Sequence, residues 1–465
     1  MQYISTRGDA PPISFLDAVL AGLAPDGGLY VPEVWPLLTP KEIADFAGKP
    51  YAVVAADILS RFAGDAFDHS ELLDMTSEAY ASFTHAAVTP LTQLDPGLWQ
   101  LELFHGPTLA FKDVAMQLLA RLYERALAAK GRTLTVVCAT SGDTGGAAVE
   151  ALRGRTHVRL VVLFPDGRIS EVQRRFMTTA QDDNVRCLAL AGDFDDCQAI
   201  VKAMFQAQGF RQAVDLSGVN SINWARVAAQ VVYYFTAAVA LGAPHRPISF
   251  CVPTGNFGDA FAGFVAHRMG LPIERIVTAT NSNDIIARMV EEGRYARGPV
   301  QQTQSPAMDI QVSSNFERLY FEGVERNGVE TARAMRAFAD TGAIDIPPSA
   351  RAMIGELFVG AGVSEAETTR AIVSIFNETG ILIDPHTAVA VAAARRIGPK
   401  RAGTPIVVLS TAHAAKFPEA VQAAAGVAPN LPRAAQGLAG KPERIDHLPA
   451  DAEAVMAYIR AFAQA

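Results

Sequence analysis

From about residue 134 onward, short runs of apolar and β-branched residues alternate with segments of helical pattern. The runs are LTVVCAT, LVVLFP and VRCLAL in a first series, then ISFCVP at 248–253, IVTAT at 276–280 and PIVVLS at 405–410 in a second. Uninterrupted apolar strands that alternate with helices are typical of parallel sheets covered on both faces. Two such layers with a cleft between them are the simplest arrangement, so the sequence predicts an α/β fold.

The rest of the chain has a different pattern. A chain of 465 residues exceeds the roughly 250 to 300 residues that one hydrophobic core serves, so we expect two or three domains. The first 90 or so residues have a helical pattern interrupted by PP, DGG and PEVWP turns, and residues 295–400 are mostly helical in pattern.

Composition narrows the class of protein. The chain is 50% hydrophobic and 19% charged, and its net charge is -8. This composition is that of a globular protein, and the negative charge argues against nucleic acid and anionic membranes as partners. The N-terminus lacks a signal-peptide pattern, and the longest apolar stretch, at 231–243, is shorter than the roughly 20 residues of a membrane span. We expect a buried helix there and a cytoplasmic protein.

The four cysteines have no CxxC spacing. We expect buried, reduced thiols and neither a disulfide framework nor a metal site.

Three loops share one design, in which small, hydroxyl or amide residues follow an apolar run and open into a helix. They are TSGDTGG at 140–146, PTGNFGD at 253–259 and STAH at 410–413. In open α/β sheets, ligands bind beyond the carboxyl ends of the strands, where helix N-termini present free N–H groups. We therefore expect the three loops to face one cleft, with residues 255–259 able to hold a phosphate. A plain strand-to-helix turn also explains that loop, which is neither a Walker loop nor GxGxxG.

Lys112 ends the stretch FHGPTLAFK at the predicted start of a helix, with Thr108 a possible cap. An amine in the first turn of a buried helix has a lowered pKa and is nucleophilic. A solvated lysine paired with Asp113 is the alternative, and the local sequence leaves both open.

Five motifs together resemble the threonine synthase family, in order and spacing. They are HGPTLAFKD, ATSGDTGGAA, NSINWARV at 220–227, VPTGNFGD and STAHAAKF at 410–417, joined by YISTRG and DGGLYVP near the N-terminus. The resemblance covers nearly the whole chain and points to the longer branch of this family. It implies a pyridoxal-phosphate enzyme of fold type II, with two open α/β domains of mainly parallel sheets flanking a cofactor cleft and a mostly helical N-terminal unit.

The resemblance also implies a division into domains. Residues 1–92 would form the N-terminal unit, and 93–136 with 233–430 the large cofactor domain, including a helical insertion near 295–400. Residues 137–232 would form the small α/β domain, and 431–465 a C-terminal extension.

By resemblance, Lys112 would form the Schiff base with pyridoxal 5'-phosphate, and Thr411 would face the ring nitrogen. The loop that holds the cofactor phosphate would comprise Gly255, Asn256, Phe257, Gly258 and Asp259. Near the cofactor O3′ and the substrate carboxylate would lie Ser141, Asp143 and Thr144.

The implied reaction converts O-phospho-L-homoserine and water to L-threonine and phosphate, and it needs a second anion site. Candidates for the substrate site are Asn223, Arg226, Ser314, Asn315, Arg318 and Lys416, with His105 lining the pocket. Each could instead be an ordinary surface charge or a satisfied core residue. A serine/threonine dehydratase and a non-catalytic phospho-ligand-binding homologue are the rival functions, and a monomer or homodimer is expected.

Overall fold

The structure, a computed structural model that describes residues 1–464, contains two open, mainly parallel sheets. The larger has six strands and is parallel except at one edge, where β4 runs antiparallel to β5. With elements numbered along the chain, its strands in spatial order are β14 (Phe358–Gly362), β11 (Ile273–Thr280), β10 (Ile248–Pro253), β15 (Ile406–Ser410), β5 (Leu98–Glu102) and β4 (Leu91–Asp95).

The second sheet has five strands, all parallel. Its spatial order is β16 (Asp446–Pro449), β8 (Val185–Ala191), β7 (Val158–Pro165), β6 (Leu134–Ala139) and β9 (Leu216–Gly218). Two small antiparallel sheets complete the strands: β1 (Gln2–Ser5), β2 (Ile13–Ser14) and β3 (Tyr30–Pro32) form one, and β12 (Arg294–Ala296) with β13 (Ala343–Asp345) forms the other.

The helices connect and cover these sheets. In the first half of the chain they are α1 (Phe15–Ala21), α2 (Pro40–Ala44), α3 (Tyr51–Ala63), α4 (His69–Tyr80), α5 (Lys112–Lys130), α6 (Asp143–Leu152), α7 (Glu171–Thr178), α8 (Phe194–Gln206), α9 (Gln208–Val214) and α10 (Trp224–Ala240). In the second half they are α11 (Gly258–Arg268), α12 (Ile285–Glu292), α13 (Phe316–Gly323), α14 (Gly328–Thr341), α15 (Pro348–Leu357), α16 (Glu365–Thr379), α17 (Pro385–Ile397), α18 (Pro418–Ala425), α19 (Arg433–Gln436) and α20 (Ala452–Gln464). Two 3-10 helices lie at Pro306–Met308 and Ala414–Lys416.

The largest hydrophobic core lies between the sheets and includes α5, α10, α11 and the N-terminal helices. A second core packs α16 and α17 on the far face of the six-stranded sheet, and a third packs α8, α9 and α20 on the far face of the five-stranded sheet. Both parallel sheets are thus covered on both faces, which explains why their central strands are apolar without interruption. The predicted α/β architecture is confirmed.

All six apolar runs are strands, and the stretch at 231–243 lies largely within the buried helix α10. Cys138, Cys187, Cys197 and Cys251 are free and buried, as predicted. Among helices of the described residues, none combines the length and apolar character needed to cross a membrane.

The domain boundaries remain a prediction, and three elements bear on them. The boundary after residue 136 divides β6, although the whole strand pairs within the five-stranded sheet. The stretch 295–400 also supplies β14 to the large sheet, and the extension 431–465, whose last residue lies outside the described range, supplies β16 to the other.

Candidate active site

Lys112 is the first residue of α5, at the carboxyl-end side of the six-stranded sheet. The turn before it contains Leu109, which has a left-handed backbone (φ 61°), and the Phe111 N–H donates to the Thr411 carbonyl at 2.8 Å. These features bring the loops that follow β5 and β15 together. The Lys112 side chain is only 12% exposed, so the predicted buried lysine at a helix start is what the structure contains.

Asp143, the first residue of α6, links the two sheets at this point. Its Oδ2 lies 3.5 Å from Lys112 Nζ, and its Oδ1 lies 2.7 Å from Lys416 Nζ. Lys416 also donates to the Thr108 carbonyl at 2.8 Å, and Gln173 Nε2 donates to Asp143 Oδ1 at 2.9 Å. The loops after β5, β6 and β15 therefore meet at this point, and they include two of the three loops that share one design.

The charges of this cluster control its protonation. Burial lowers the pKa of the Lys112 amine, the nearby Asp143 charge opposes that effect, and the charges of Lys416 and Arg226 lower the pKa further. Burial alone would raise the pKa of Asp143, but the charges of Lys416 and Lys112 and the bond from Gln173 hold it well below its ordinary value. Asp143 is therefore ionised, and Lys112 gives up its proton more readily than an ordinary lysine.

The alternative pairing of Lys112 with Asp113 is wrong. The Asp113 carboxylate accepts from the Thr108 N–H (2.8 Å) and hydroxyl (2.7 Å), and burial raises its pKa to about 6. Thr108 is also not the helix cap that the sequence suggested: the cap position is Phe111, with no side-chain bond. Instead, Thr108 and Asp113 brace the turn that presents Lys112.

The 255–259 loop follows β10 and opens α11, with Phe257 in a left-handed conformation (φ 62°). None of its backbone N–H groups donates to a partner within residues 1–464. Its glycines lie close to neighbouring groups, since a Cβ on Gly255 would lie 3.0 Å from the Ala307 carbonyl and one on Gly258 would lie 3.2 Å from Asn315 Nδ2. Free N–H groups at a helix N-terminus suit an anion.

The side chain of Asp259 does not belong to that anion site. Its Oδ1 accepts bonds from the Tyr233 and Tyr234 hydroxyls on α10, while Oδ2 is buried with no partner in the described part of the chain. Burial raises its pKa to about 7. The Asp259 side chain faces α10, so the backbone N–H groups of the loop, and not this carboxylate, lie at the N-terminus of α11.

Thr411 directly follows β15. Its carbonyl accepts the Phe111 N–H, and Ala412 pairs with Ala110 in an isolated bridge, so the backbone of Thr411 is fixed beside the turn into Lys112. Its hydroxyl makes no hydrogen bond to any of residues 1–464. The hydroxyl is therefore free for a ligand.

In the 140–146 loop, the Thr140 hydroxyl accepts the N–H groups of Gly142 and Gly145, both at 2.9 Å. This ordered turn, with Gly142 at φ 132°, leaves Ser141 and Thr144 half-buried beside Asp143. Both hydroxyls lie where a ligand in the cleft can reach them.

Arg226 on α10 is 3% exposed, and its guanidinium makes one hydrogen bond within the described residues: Nη1 donates to the Val219 carbonyl at 2.9 Å. Its Nε is buried without an acceptor, and no carboxylate pairs with it anywhere in the described range. Burial lowers its pKa to about 10. A buried guanidinium without an anion is costly, so Arg226 is well suited to pair with an anionic ligand.

Three other candidates for the substrate phosphate are occupied by structural bonds. Arg318 is fully buried and donates to the Tyr30 carbonyl (2.9 Å), the Ile222 carbonyl (2.6 Å) and Asn315 Oδ1. Asn315 also donates to the Asn256 carbonyl at 3.0 Å. These predictions are corrected because the polar groups of Arg318 and Asn315 hold the N-terminal unit and the 255–259 loop in place.

Asn223 is the third. It caps α10, and its Nδ2 donates to the Val19 carbonyl at 2.8 Å. Ser314 remains beside the loop, where its hydroxyl donates to Asn256 Oδ1 at 3.1 Å and stays half-buried. Ser314 is therefore accessible to a ligand, and Asn223 is not.

His105 pairs with the side chain of Glu102. Its Nε2 is 2.6 Å from Glu102 Oε2, and it lines a cavity of about 350 Å³ together with Gln100, Phe104 and His413. The pairing with Glu102 gives His105 a structural partner.

No sequence pattern points to the groups behind the site. Asp384 accepts from His386 Nδ1 (2.7 Å) and from the Thr387 hydroxyl, which lies 2.9 Å from the Ser410 hydroxyl. This chain of bonds ends next to Thr411. Gln173 and Asp384 are far from the motifs along the chain, and only tertiary structure brings them to the site.

The residues fit pyridoxal phosphate. A nucleophilic amine, an anion site at the start of α11 and the free hydroxyl of Thr411 match the aldehyde, phosphate and ring nitrogen of that cofactor.

The comparisons with known proteins agree. The family "Threonine synthase N terminus" matches residues 2–80, "Pyridoxal-phosphate dependent enzyme" matches 83–357, and "Threonine synthase, C-terminal" matches 387–459. The threonine synthase of Pseudomonas aeruginosa is 47% identical over 460 residues, covering 99% of this chain and 98% of that protein.

Solved structures extend the likeness to the whole fold. A threonine synthase from Brucella melitensis with bound pyridoxal phosphate is 50% identical, covers 100% of both chains and has a TM-score of 0.96. The yeast threonine synthase is 37% identical, covers 99% of this chain and 98% of its own, and has a TM-score of 0.92. The chain therefore belongs to the threonine synthase family of pyridoxal-phosphate-dependent enzymes.

Proposed function

We propose that this protein holds pyridoxal 5'-phosphate on Lys112 and converts O-phospho-L-homoserine and water to L-threonine and phosphate. One observation carries the choice of substrate: the buried, unpaired guanidinium of Arg226 lies close enough to the Lys112 amine to lower its pKa. A substrate that bears a phosphate supplies the missing anion, and an arginine fork suits two phosphate oxygens.

The cofactor would be held by residues from three loops. The N–H groups of residues 255–259 and the dipole of α11 would bind its phosphate, and the Thr411 hydroxyl would bind its ring nitrogen. Ser141 and Thr144 would bind the substrate carboxylate, and Ser314 would assist Arg226 at the substrate phosphate.

When bound, the pyridoxal ring withdraws electrons and makes the Cα proton of the substrate acidic. The Lys112 amine is the nearest base, and it takes that proton once the substrate amine has displaced it. The same amine, once it has released that proton, takes a proton from Cβ as the γ-phosphate departs and returns a proton to Cγ, which becomes the methyl group. Water finally adds its hydroxyl to Cβ, the remaining proton of the water goes to the departed phosphate, and the proton first removed is restored to Cα through Lys112.

The rival dehydratase needs no second anion site, and Arg226 therefore favours the synthase. A non-catalytic homologue has no use for an amine of lowered pKa at the start of α5. The four unpaired, buried thiols favour action in the reducing cytoplasm. We also propose that the protein is a monomer or homodimer.

The test is incubation of the purified protein with O-phosphohomoserine, while phosphate and threonine are measured together. Equal amounts of both are expected. Phosphate without threonine would leave an eliminase, and no phosphate release would remove the proposal.

A further inference from the structure

The Asp143 carboxylate holds two lysines from separate loops. Lys416 Nζ lies 2.7 Å from Oδ1, and Lys112 Nζ lies 3.5 Å from Oδ2. All three side chains are at least largely buried. A single carboxylate between two buried cations balances only one of them, so each lysine affects the proton affinity of the other.

Lys416 is committed to the protein. Its side chain is 1% exposed, and it donates both to Asp143 and to the Thr108 carbonyl at 2.8 Å. The aromatic ring of Phe176 lies 5.4 Å from its amine. Since these groups surround the ammonium, Lys416 is not free to bind a substrate phosphate, which was its predicted role.

Asp143 is also held on its other side. Gln173 donates to Oδ1 at 2.9 Å, and the side chain of Gln173 packs so closely on Gly142 that a Cβ there would lie 2.6 Å from it. The carboxylate therefore has little freedom to leave the position that faces Lys112.

We propose that Asp143 is the docking group for the Lys112 amine whenever that amine is free, and that Lys416 is the positioning residue that holds Asp143 there. The proposal rests on the proposed function. During turnover the substrate amine displaces Lys112, and the released amine takes up the contact with Asp143 that the free lysine makes here, at 3.5 Å. Docking keeps the amine in the cleft for its proton transfers, and the charge of Lys416 keeps it from binding its proton too tightly.

The two partners have opposite effects on Lys112. Removing the Lys416 charge leaves Asp143 to act on Lys112 alone, which raises the pKa of the amine. Removing the Asp143 charge leaves Lys112 beside two cations, Lys416 and Arg226, which lowers it. A purely structural role for either residue predicts no such opposition.

The experiment uses the full chain freed of cofactor. Pyridoxal phosphate is added across a pH series, the adduct is trapped with borohydride, and peptide mass mapping measures the fraction on Lys112. The midpoint of trapping against pH is expected to rise by about one unit in Lys416→Met and to fall by about one unit in Asp143→Asn. Lys416→Arg should restore the wild-type midpoint. Midpoints that do not move, or that move in the same direction, would overturn the proposal.

Lys416→Gln serves as a second variant if the methionine variant does not fold, because it keeps a donor for Thr108 without the charge. It should shift the midpoint upward like Lys416→Met, and an unmoved midpoint would count against the proposal. These trapping measurements need no substrate, so they stand even if the protein makes no threonine.

Steady-state kinetics separate positioning from phosphate binding. Lys416→Met should lower kcat at least tenfold, while the KM for O-phosphohomoserine and the inhibition constant of inorganic phosphate stay within about twofold of wild type. A raised KM with weakened phosphate inhibition and an unchanged kcat would make Lys416 a substrate ligand and overturn its positioning role.

Discussion

Arg226 on α10 and Arg318 on α13 are both buried arginines, yet their surroundings differ. Arg318 donates to two carbonyls and an amide oxygen from separate segments of the chain. Arg226 donates to one carbonyl, and its Nε has no acceptor. Buried polar groups in folded proteins are nearly always satisfied, so the incomplete set makes Arg226 the better candidate of the two for a ligand. Burial alone therefore does not separate a structural arginine from one that is suited to bind a ligand.

The largest effect is expected from Arg318→Met, which leaves the carbonyls of Tyr30 and Ile222 buried without a donor. The free energy of unfolding should fall by about 3 to 5 kcal/mol, as measured by urea unfolding. The exposed Arg333→Met is the control and should stay within about 0.5 kcal/mol of wild type. A stable Arg318→Met protein with a raised KM for O-phosphohomoserine would reverse the two roles.

Arg226→Gln should behave in the opposite way. It removes a buried charge that no carboxylate balances, so the unfolding free energy should change by less than about 1 kcal/mol. The kcat/KM for O-phosphohomoserine should fall roughly a hundredfold, about 3 kcal/mol, because the substrate phosphate loses its charged partner. Arg226→Lys should recover part of this loss, and weaker inhibition by inorganic phosphate should accompany it. An unchanged KM in a destabilised Arg226→Gln protein would contradict the assignment.

The Asp259 carboxyl resembles the Arg226 guanidinium in one respect: its Oδ2 is also buried without a partner among the described residues. Its pKa is about 7 in the folded protein and near the ordinary value when unfolded. Between about pH 4 and pH 7 the unfolded chain therefore binds fewer protons than the folded one, and stability falls as the pH rises. Cofactor-free wild type should lose about 2 kcal/mol more than Asp259→Asn between pH 5 and pH 8.

Urea unfolding at the two pH values measures this difference, and the exposed Asp9→Asn variant should keep the wild-type pH dependence. If Asp259→Asn also keeps the wild-type pH dependence of the unfolding free energy, the Asp259 carboxyl is not the group whose titration causes it.

The smallest effect is expected at His105, whose Nε2 already pairs with Glu102. His105→Gln keeps a polar side chain near that carboxylate, and kcat/KM should stay within about twofold of wild type, or about 0.4 kcal/mol. Steady-state kinetics with O-phosphohomoserine measure it. A tenfold rise in KM would return His105 to the substrate site.

Much of the fold was predictable, because strands buried on both faces carry their own pattern. The exceptions have physical reasons. β14 has the sequence FVGAG, whose glycines weaken a strand signal, and it forms because β11 offers a free edge. β16 consists of DHLP and is only partly buried, so its composition does not predict a strand.

The site was predictable to the extent that its residues lie in motifs. The sequence located Lys112, the 255–259 loop and Thr411, but it could not tell Arg226 from Arg318, since each lies in the first turn of a helix, three residues after an asparagine. That distinction depends on which carbonyls the fold brings to each guanidinium. The Asp143 pairing with Lys416 spans two sheets and was equally out of reach.

The most direct test of the account concerns Lys112. The protein loaded with pyridoxal phosphate is reduced with borohydride, digested, and mapped by mass spectrometry, alongside a Lys112→Ala variant whose thermal unfolding is compared with wild type. The account predicts a reduced cofactor adduct on the Lys112 peptide, and a folded variant with neither adduct nor threonine formation. An adduct on another lysine, or full activity in Lys112→Ala, would contradict it.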